Sequence, residues 1–411
     1  MRGTTVLRQL LGIDNAVVDG FGVEDGALVI HVHPTWQTPR CSGCVRKVDR
    51  LHDVHTARHW RHLNFGGVRV ELVYDLRRIN CRKCGVLVEK VPWAETPVAR
   101  FTREFEDQVA YHAKEMSKTA VEKLMGIAWR TVGSIIARVV ERMRPQDPLA
   151  GLTAIGVDEL SYRKHHRYIT LVTDHLKGVI VWGKEGKDAE TLKAFFTELG
   201  EERCRQIEVV TMDMSGAFIK AVREALPHAQ IVFDRFHVQQ LASKALDETR
   251  REEWRRLHGT AEGELLKHLR WPLLKSSWNL RQDESNRIAE LPKQNARLYR
   301  AYLLKEGLAD ILDGRQVNVV EKRLREWIGW AQRSQLEAFR RTAATIKEHL
   351  PNIVAYVRWK LTNGVVEGLN NKVRLLTRRA YGFHSAEAVI AMVKLCCTGL
   401  ELNPITKRMP G

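Results

Sequence analysis

The sequence predicts a multidomain protein of α/β plus α class, and three observations carry that prediction. Two cysteine pairs of identical spacing stand in a strand-rich first hundred residues. A β-β-β-α-β-α-β alternation follows between residues 153 and 233, which reads as a mixed sheet opening with a meander. Charged helical segments then run from about residue 238 to 350, and two further helices close the chain. The 411 residues are too many for one ordinary domain. Hydrophobic residues make up 44% and charged residues 28%, a globular composition that excludes wholesale disorder. Lys and Arg number 66 against 49 Asp and Glu, a formal net charge of +17, which points to a polyanionic partner. No apolar run of about 18 residues exists, so no spanning helix is expected. The start, Met1-Arg2-Gly3-Thr4, lacks the apolar segment of a signal peptide. Nucleic acid is the expected partner and the cytoplasm the expected compartment.

Strands are expected at residues 27–32 and 67–74, where β-branched residues are enriched. The 7 cysteines are an odd number in a long chain, which argues against a disulfide framework. Four fall in the pairs Cys41-x-x-Cys44 and Cys81-x-x-Cys84, each in a polar, basic turn carrying glycine. Zinc prefers four tetrahedral ligands, and a knuckle of this spacing presents two thiolates on one turn. Two knuckles complete the set, as in a zinc-ribbon-like module. Four thiolates leave no open position, so the expected role is folding rather than catalysis. His52, His55, His59 and His62 lie between the pairs, in strand and loop, and are expected at the surface or against phosphate. Cys204, Cys396 and Cys397 read as core residues.

Pro92 and Pro97 mark a linker, after which the pattern turns helical from residue 101 to 143. Thr119 with Glu122 reads as a capping box, and Gly126 permits a tight turn before a second helix that begins at Trp129. Val132, Ile135, Ile136 and Val139 form an apolar stripe on that helix. Arg130, Ser134 and Arg138 fall opposite, with Thr131 beside them. A second helix with an exposed basic stripe suits the major groove, so this segment reads as a helix-turn-helix.

In the α/β block, Asp158 closes the first expected strand and Asp213 the fourth. Acids there are costly in a core and suit a metal or solvent; adjacent ones suit the hard, octahedral shell of Mg²⁺. A third acid, Glu367, lies on a late helix whose polar face is read as Glu367, Asn370, Asn371, Arg374 and Arg378. Val366, Leu369, Val373 and Leu376 form its other face. Two Mg²⁺ ions about 3.5–4 Å apart would activate water and stabilise the leaving oxygen in an in-line displacement.

The motifs Ile155-Gly156-Val157-Asp158-Glu159, Asp213-Met214-Ser215, Phe233-Asp234-Arg235-Phe236-His237, Asn363-Gly364-Val365-Val366-Glu367-Gly368-Leu369-Asn370-Asn371 and Tyr381-Gly382-Phe383 stand behind the two knuckles and the helix-turn-helix. In this combination the chain resembles a bacterial insertion-sequence DDE transposase of the ISL3 family over nearly its whole length. The resemblance implies an RNase H-like catalytic core interrupted by a helical insertion, with Asp158, Asp213 and Glu367 catalytic. Asp234 and His237, with Asn370 and Asn371, are implied as active-site support. It divides the chain into a zinc-binding module (1–100), the helix-turn-helix (101–150), the first part of the core (151–240), the insertion (241–350) and the core's C-terminal helices (351–411).

The expected function is a transposase that binds terminal inverted repeats, cleaves element ends and joins the 3′-hydroxyls to target DNA without a nucleotide cofactor. Structural Zn²⁺ on the cysteines and catalytic Mg²⁺ on the acids are its expected metals. Arg130, Thr131, Ser134, Arg138, Lys372, Arg374, Arg378 and Arg379 are its expected DNA contacts. A homodimer or larger assembly on nucleoid DNA, with no membrane association, is expected because two ends must be held together. A structure-specific nuclease on the same core and a DNA-binding regulator with a vestigial core are the alternatives. Trp254 is expected in the core in preference to stacking on a base.

Overall fold

The computed structural model describes residues 3–96, 98–163, 167–359 and 364–402; Met1, Arg2, Pro97 and Asn363, used above, lie outside them. The chain divides into two compact units, Met1–Pro145 with Arg379–Tyr381 and Ala391–Gly411, and Gln146–Arg378 with Gly382–Ile390.

The first unit contains α1 (Gly3–Leu11) and strands β1 (Ala16–Glu24), β2 (Ala27–Pro34), β3 (Leu51–Phe65), β4 (Val68–Cys81) and β5 (Gly85–Val88). They form a sheet in the order β1-β2-β4-β3, with β5 also on β4. Only β2 and β4 run parallel. Period-two alternation gives the β3–β4 hairpin two unlike faces. Trp60 opposite Leu72 and His62 opposite Val70 turn inward, and Trp93 packs edge-on at 5.5 Å from Trp60. Arg61 opposite Glu71 and His59 opposite Val73 take the other face. His62 therefore departs from its expected surface role: it is buried, because it lies two residues from Trp60 on the inner face. Its Nδ1 lies 2.8 Å from the Thr102 hydroxyl.

That hydroxyl also caps α2 (Arg103–Glu115), accepting from the Phe105 amide. Helices α3 (Lys118–Met125) and α4 (Trp129–Met143) follow, joined through Gly126 in the left-handed region at φ +60°. The α3 cap is Ser117, not Thr119, and accepts from the Ala120 amide. Glu122 serves the next helix instead, accepting from the Trp129 amide at 3.2 Å where Ala128 offers no side-chain cap. Val132, Ile135, Ile136 and Val139 are buried as the stripe predicts. The hairpin is tied to this bundle by backbone: the Arg61 amide donates to Arg100 O and the Thr102 amide to Arg61 O.

The second unit begins with β6 (Ala154–Arg163), β7 (Arg167–Asp174), β8 (Val179–Glu185), α5 (Ala189–Leu199), α6 (Glu201–Cys204), β9 (Val209–Met212), α7 (Gly216–Ala225) and β10 (Gln230–Phe233). The sheet order is β10-β9-β6-β7-β8, with β6, β7 and β8 an antiparallel meander and β9 and β10 parallel to β6. This is the RNase H-like arrangement. The helical stretch comprises α8 (Arg235–Arg256), α9 (Ala261–His268), α10 (Arg270–Leu274), α11 (Gln282–Gln294), α12 (Ala296–Leu312), α13 (Val317–Arg333), α14 (Glu337–Glu348) and α15 (Leu350–Trp359). The chain ends in α16 (Gly364–Arg379) and α17 (Ala386–Cys397). Phe195, Phe218 and Phe233 of the sheet region share one continuous apolar core with Leu246, Leu298, Trp327 and Phe339 of the helices. Trp254 packs against that core, partly buried.

Alternation again decides the faces. Ile155, Val157, Val210, Met212, Ile231 and Phe233 enter the core with α5 and α7. Ala154, Val209 and Val232 meet Ala355 of α15 on the opposite face. Asp158 and Asp213 fall in phase with that second set.

Candidate active site and metal centre

The cysteine centre is compact. The sulfurs of Cys41, Cys44, Cys81 and Cys84 all lie within 4.8 Å of one another, among Val48, Ile79 and Leu87. Gly43 keeps the first knuckle tight, since a Cβ there would stand 3.3 Å from the Cys84 sulfur. Gly85 closes the second at φ +75°. The amides of Lys83 and Cys84 hold the Cys81 thiol down to about 7. Burial, followed by the neighbouring sulfurs, pushes Cys84 up to about 12. Four thiolates this close require a cation between them, and the donor set fits zinc. Cys204, Cys396 and Cys397 are buried elsewhere, as expected.

The acidic centre is a cavity of 120 Å³ in the second unit. Asp158, Asp213, Asp234, His237, Glu367, Asn370 and Arg374 all line it. Register explains the first pair. Gly156 is opposite Thr211 in the last parallel β6–β9 pair, so Asp158 and Asp213 each stand two residues further on. Asp158 lies within β6, which continues to Arg163, instead of closing the strand; β9 ends at Met212, immediately before Asp213. The carboxyl of Asp158 is held above its ordinary range mainly by burial, with the charge of Asp213 adding. The Glu159 amide at 2.7 Å, His237 and Arg374 oppose that shift. Among the described residues only the cysteines bring three or more ligand atoms within 4.8 Å, so the acids surround a more open space.

Helix α16 brings Glu367 to the same cavity. Its close approach depends on Gly156, where a Cβ would meet Val366 Cγ2 at 2.7 Å. The sequence reading missed Gly156, although glycine inside a strand signals close approach of another element. Asn370 lines the cavity beside Glu367 and Arg374; it is buried, and its amide donates to Asp158 Oδ2. Asp234 caps α8, accepting from the Phe236 amide at 2.9 Å, and its Oδ2 lies 3.7 Å from His237 Nε2. Arg374 donates to Asn371 Oδ1 at 3.1 Å.

Of the expected DNA contacts, Arg130 and Ser134 are exposed on α4, Thr131 is half-buried, and Arg378 is exposed on α16. Lys372 is also exposed. Arg138 instead donates to the buried Glu106 through Nε at 2.9 Å and Nη2 at 2.6 Å. Arg379 donates to the carbonyls of Ala113 and Lys114 at 2.9 and 2.8 Å, at the end of α2.

Three family profiles match the chain: a transposase profile of the ISL3 family over residues 155–393, the helix-turn-helix domain of transposase family ISL3 over 89–140, and the zinc-finger of transposase IS204/IS1001/IS1096/IS1165 over 37–84. The chain is 39% identical to the transposase for insertion sequence element IS1557 of Mycobacterium tuberculosis, across 97% of its own length and 96% of that protein. It is 28% identical to the transposase for insertion sequence element IS1001 of Bordetella parapertussis, across 92% and 96% of the two chains. No helix among the described residues is long and apolar enough to cross a membrane. With an RNase H-like sheet, a helix-turn-helix and a four-cysteine knuckle pair in one chain, the protein belongs to the ISL3 family of insertion-sequence transposases.

Proposed function

We propose that the protein binds the terminal inverted repeats of its insertion sequence, cuts the element ends and joins the freed 3′-hydroxyls to target DNA. The observation that carries this reading is the meeting of Asp158, Asp213 and Glu367, from three distant segments, around one cavity. These acids would hold two Mg²⁺ ions, which when bound supply Lewis-acid activation of the nucleophile and stabilisation of the leaving oxygen. Asn370 fixes the Asp158 carboxylate by its hydrogen bond, and Arg374 offers a positive charge to a phosphate at the cavity. His237 and Asp234 border the path of the DNA strand. In the first reaction a water oxygen bonds to phosphorus and the bond to the 3′ oxygen breaks, leaving a 3′-hydroxyl on the element. In the second, that hydroxyl bonds to a target phosphorus and the target's 3′ oxygen leaves as a hydroxyl. Neither reaction consumes a nucleotide cofactor.

In this reading residues 1–100 and 101–150 recognise the end, 151–240 with 351–411 perform catalysis, and 241–350 form the insertion. Cys41, Cys44, Cys81 and Cys84 hold one structural zinc. Arg130, Thr131 and Ser134 face the end duplex, while Lys372, Arg374 and Arg378 face the strand at the cavity. The active species is at least a homodimer on nucleoid DNA in a bacterial cytoplasm, because two ends are joined together. The test is joining: a pre-cut element end with a 3′-hydroxyl, incubated with protein, Mg²⁺ and plasmid, yields covalent product, and the 3′-deoxy end binds without joining. Efficient cutting with no joined product, across several targets and divalent metals, would replace this reading with the nuclease.

A further inference from the structure

The N-terminal unit holds a second, larger cavity of 760 Å³, open to solvent. It lies between the outer face of the β3–β4 hairpin and the head of α4. Arg58, Arg61, Arg69 and Arg100 bring four guanidinium groups to it against one carboxylate, Glu71. Ala128 and Thr131, at the head of α4, complete the wall.

Part of that charge is spent on the fold. Arg61 donates to Met125 O at 3.2 Å, Arg58 donates to Val98 O at 2.8 Å, and Arg69 pairs with Glu71. The Nε–H groups of Arg58 and Arg61 are buried without an acceptor among the described residues. Arg100 is exposed and makes no ion pair with a described residue. Burial and the charge of Arg69 hold Arg61 below its ordinary value. Buried donors without acceptors beside crowded cations are relieved by an anion rich in oxygen acceptors.

The position of the cavity selects the anion. The first ladder bond of α4 runs from the Val132 amide to Ala128 O, and Ala128 supplies no side-chain cap. Glu122 already accepts from the Trp129 amide at that head, so the positive charge of the cavity rests on the arginines that stand beside it. The Arg61 backbone is bonded on both sides to Arg100 and Thr102 at the start of α2, and its side chain donates to Met125 O at the end of α3, which holds the hairpin against the bundle that contains α4. We propose that the cavity seats the phosphodiester backbone of the duplex that receives α4 in its major groove. The cysteine module and the helix-turn-helix then form one composite DNA-docking surface, not two independent readers. This rests on the reading that α4 docks on DNA.

The test uses full-length protein, a duplex carrying the element end, and an unrelated duplex of equal length, titrated at several salt concentrations. Arg100→Ala is expected to weaken both duplexes alike and to reduce the salt slope by about 0.9, with Arg100→Lys restoring it. Thr56→Glu, which places a carboxylate in the cavity wall, is expected to weaken both by about tenfold or more. Unchanged melting and zinc content establish that each variant is folded. Arg130→Ala separates the two readings, since it should reduce discrimination between the duplexes. If Arg130→Ala does so while Arg100→Ala and Thr56→Glu leave affinity and slope unchanged, the cavity is not the seat and α4 still docks. If the slope falls but no variant or wild type distinguishes the duplexes, the composite surface is overturned because α4 is not reading the groove.

Discussion

The cysteine centre takes its four ligands from two short turns, with Cys81 37 positions after Cys44, and holds all four sulfurs within 4.8 Å. The acidic centre takes its carboxylates from β6, the end of β9 and α16, separated by 55 and 154 residues, around a cavity of 120 Å³. The first is crowded, with its ligands in mutual contact and no position left for a substrate. The second keeps its carboxylates apart, held by groups that are themselves positioned: Asn370 by burial, α16 by the missing side chain at Gly156. A closed set of ligands converts metal binding into folding free energy, whereas an open set keeps room for a reacting phosphate. The contrast predicts that damage to one centre unfolds its module and damage to the other stops chemistry in an otherwise intact protein.

The largest effect is expected at the cysteines. Cys41→Ser or Cys81→Ser should lose the one zinc per chain and melt the N-terminal module, since such metals contribute on the order of 10 kcal/mol. Metal analysis with circular dichroism checks this, and folded, zinc-free protein would remove the closed centre from the comparison. Next in size, Asp158→Asn, Asp213→Asn and Glu367→Gln should each reduce cleavage by roughly 10³-fold or more with duplex binding retained. A parallel cleavage assay and gel shift decide, and near-normal cutting takes that residue out of the site. Gly156→Ala sharpens the comparison, because it removes no carboxylate and acts mainly by pushing Val366 outward, with His175 Nε2 and Thr211 Oγ1 each at 3.2 Å from the added Cβ. Cleavage should fall by about 10²-fold with unchanged zinc content, as expected when one catalytic group is misplaced by about 1 Å. Full activity would mean that α16 adjusts without moving Glu367.

The smallest effect concerns acid. Burial lowers His62 to about 4, against an ordinary value of 6.5 for the unfolded chain. The unfolded state therefore binds the proton more readily over that window. Stability of the hairpin–helix junction should be complete above pH 6.5 and lost as pH falls to about 4, by on the order of 2–3 kcal/mol. Denaturant titrations at a series of pH values measure the slope, and His62→Gln should flatten it. An equal slope in the variant would place the sensitivity elsewhere.

Much of the cysteine centre was legible in the sequence because its geometry is local. A C-x-x-C turn aims two sulfurs by itself, and strands between the turns bring the pairs together. The helix-turn-helix was legible for a similar reason: the stripe of Val132, Ile135, Ile136 and Val139 and the turn at Gly126 are properties of adjacent residues. The cap was misread at Thr119 because Ser117 offers the same chemistry two residues earlier, and Glu122 was free to serve α4. The histidines between the knuckles showed the limit of composition. Only the register of β3 against β4 separates buried His62 from His59 on the outer face.

The sequence by itself determined the β-β-β-α-β-α-β order of the α/β block, the two knuckles and the place of Asp213 just past a strand, since each depends on spacing within one turn or strand. Only the tertiary structure decided which side chains are committed to the protein. Arg138 answers the buried Glu106, Arg379 holds the end of α2, and Asn370 is buried against Asp158. It also decided that α16 crosses the sheet at Gly156, which brings Glu367 to the cavity. The physical reason is the range of the interactions. Periodicity and turn chemistry act over a few residues, but burial, charge pairing and close approach depend on partners that folding alone brings together.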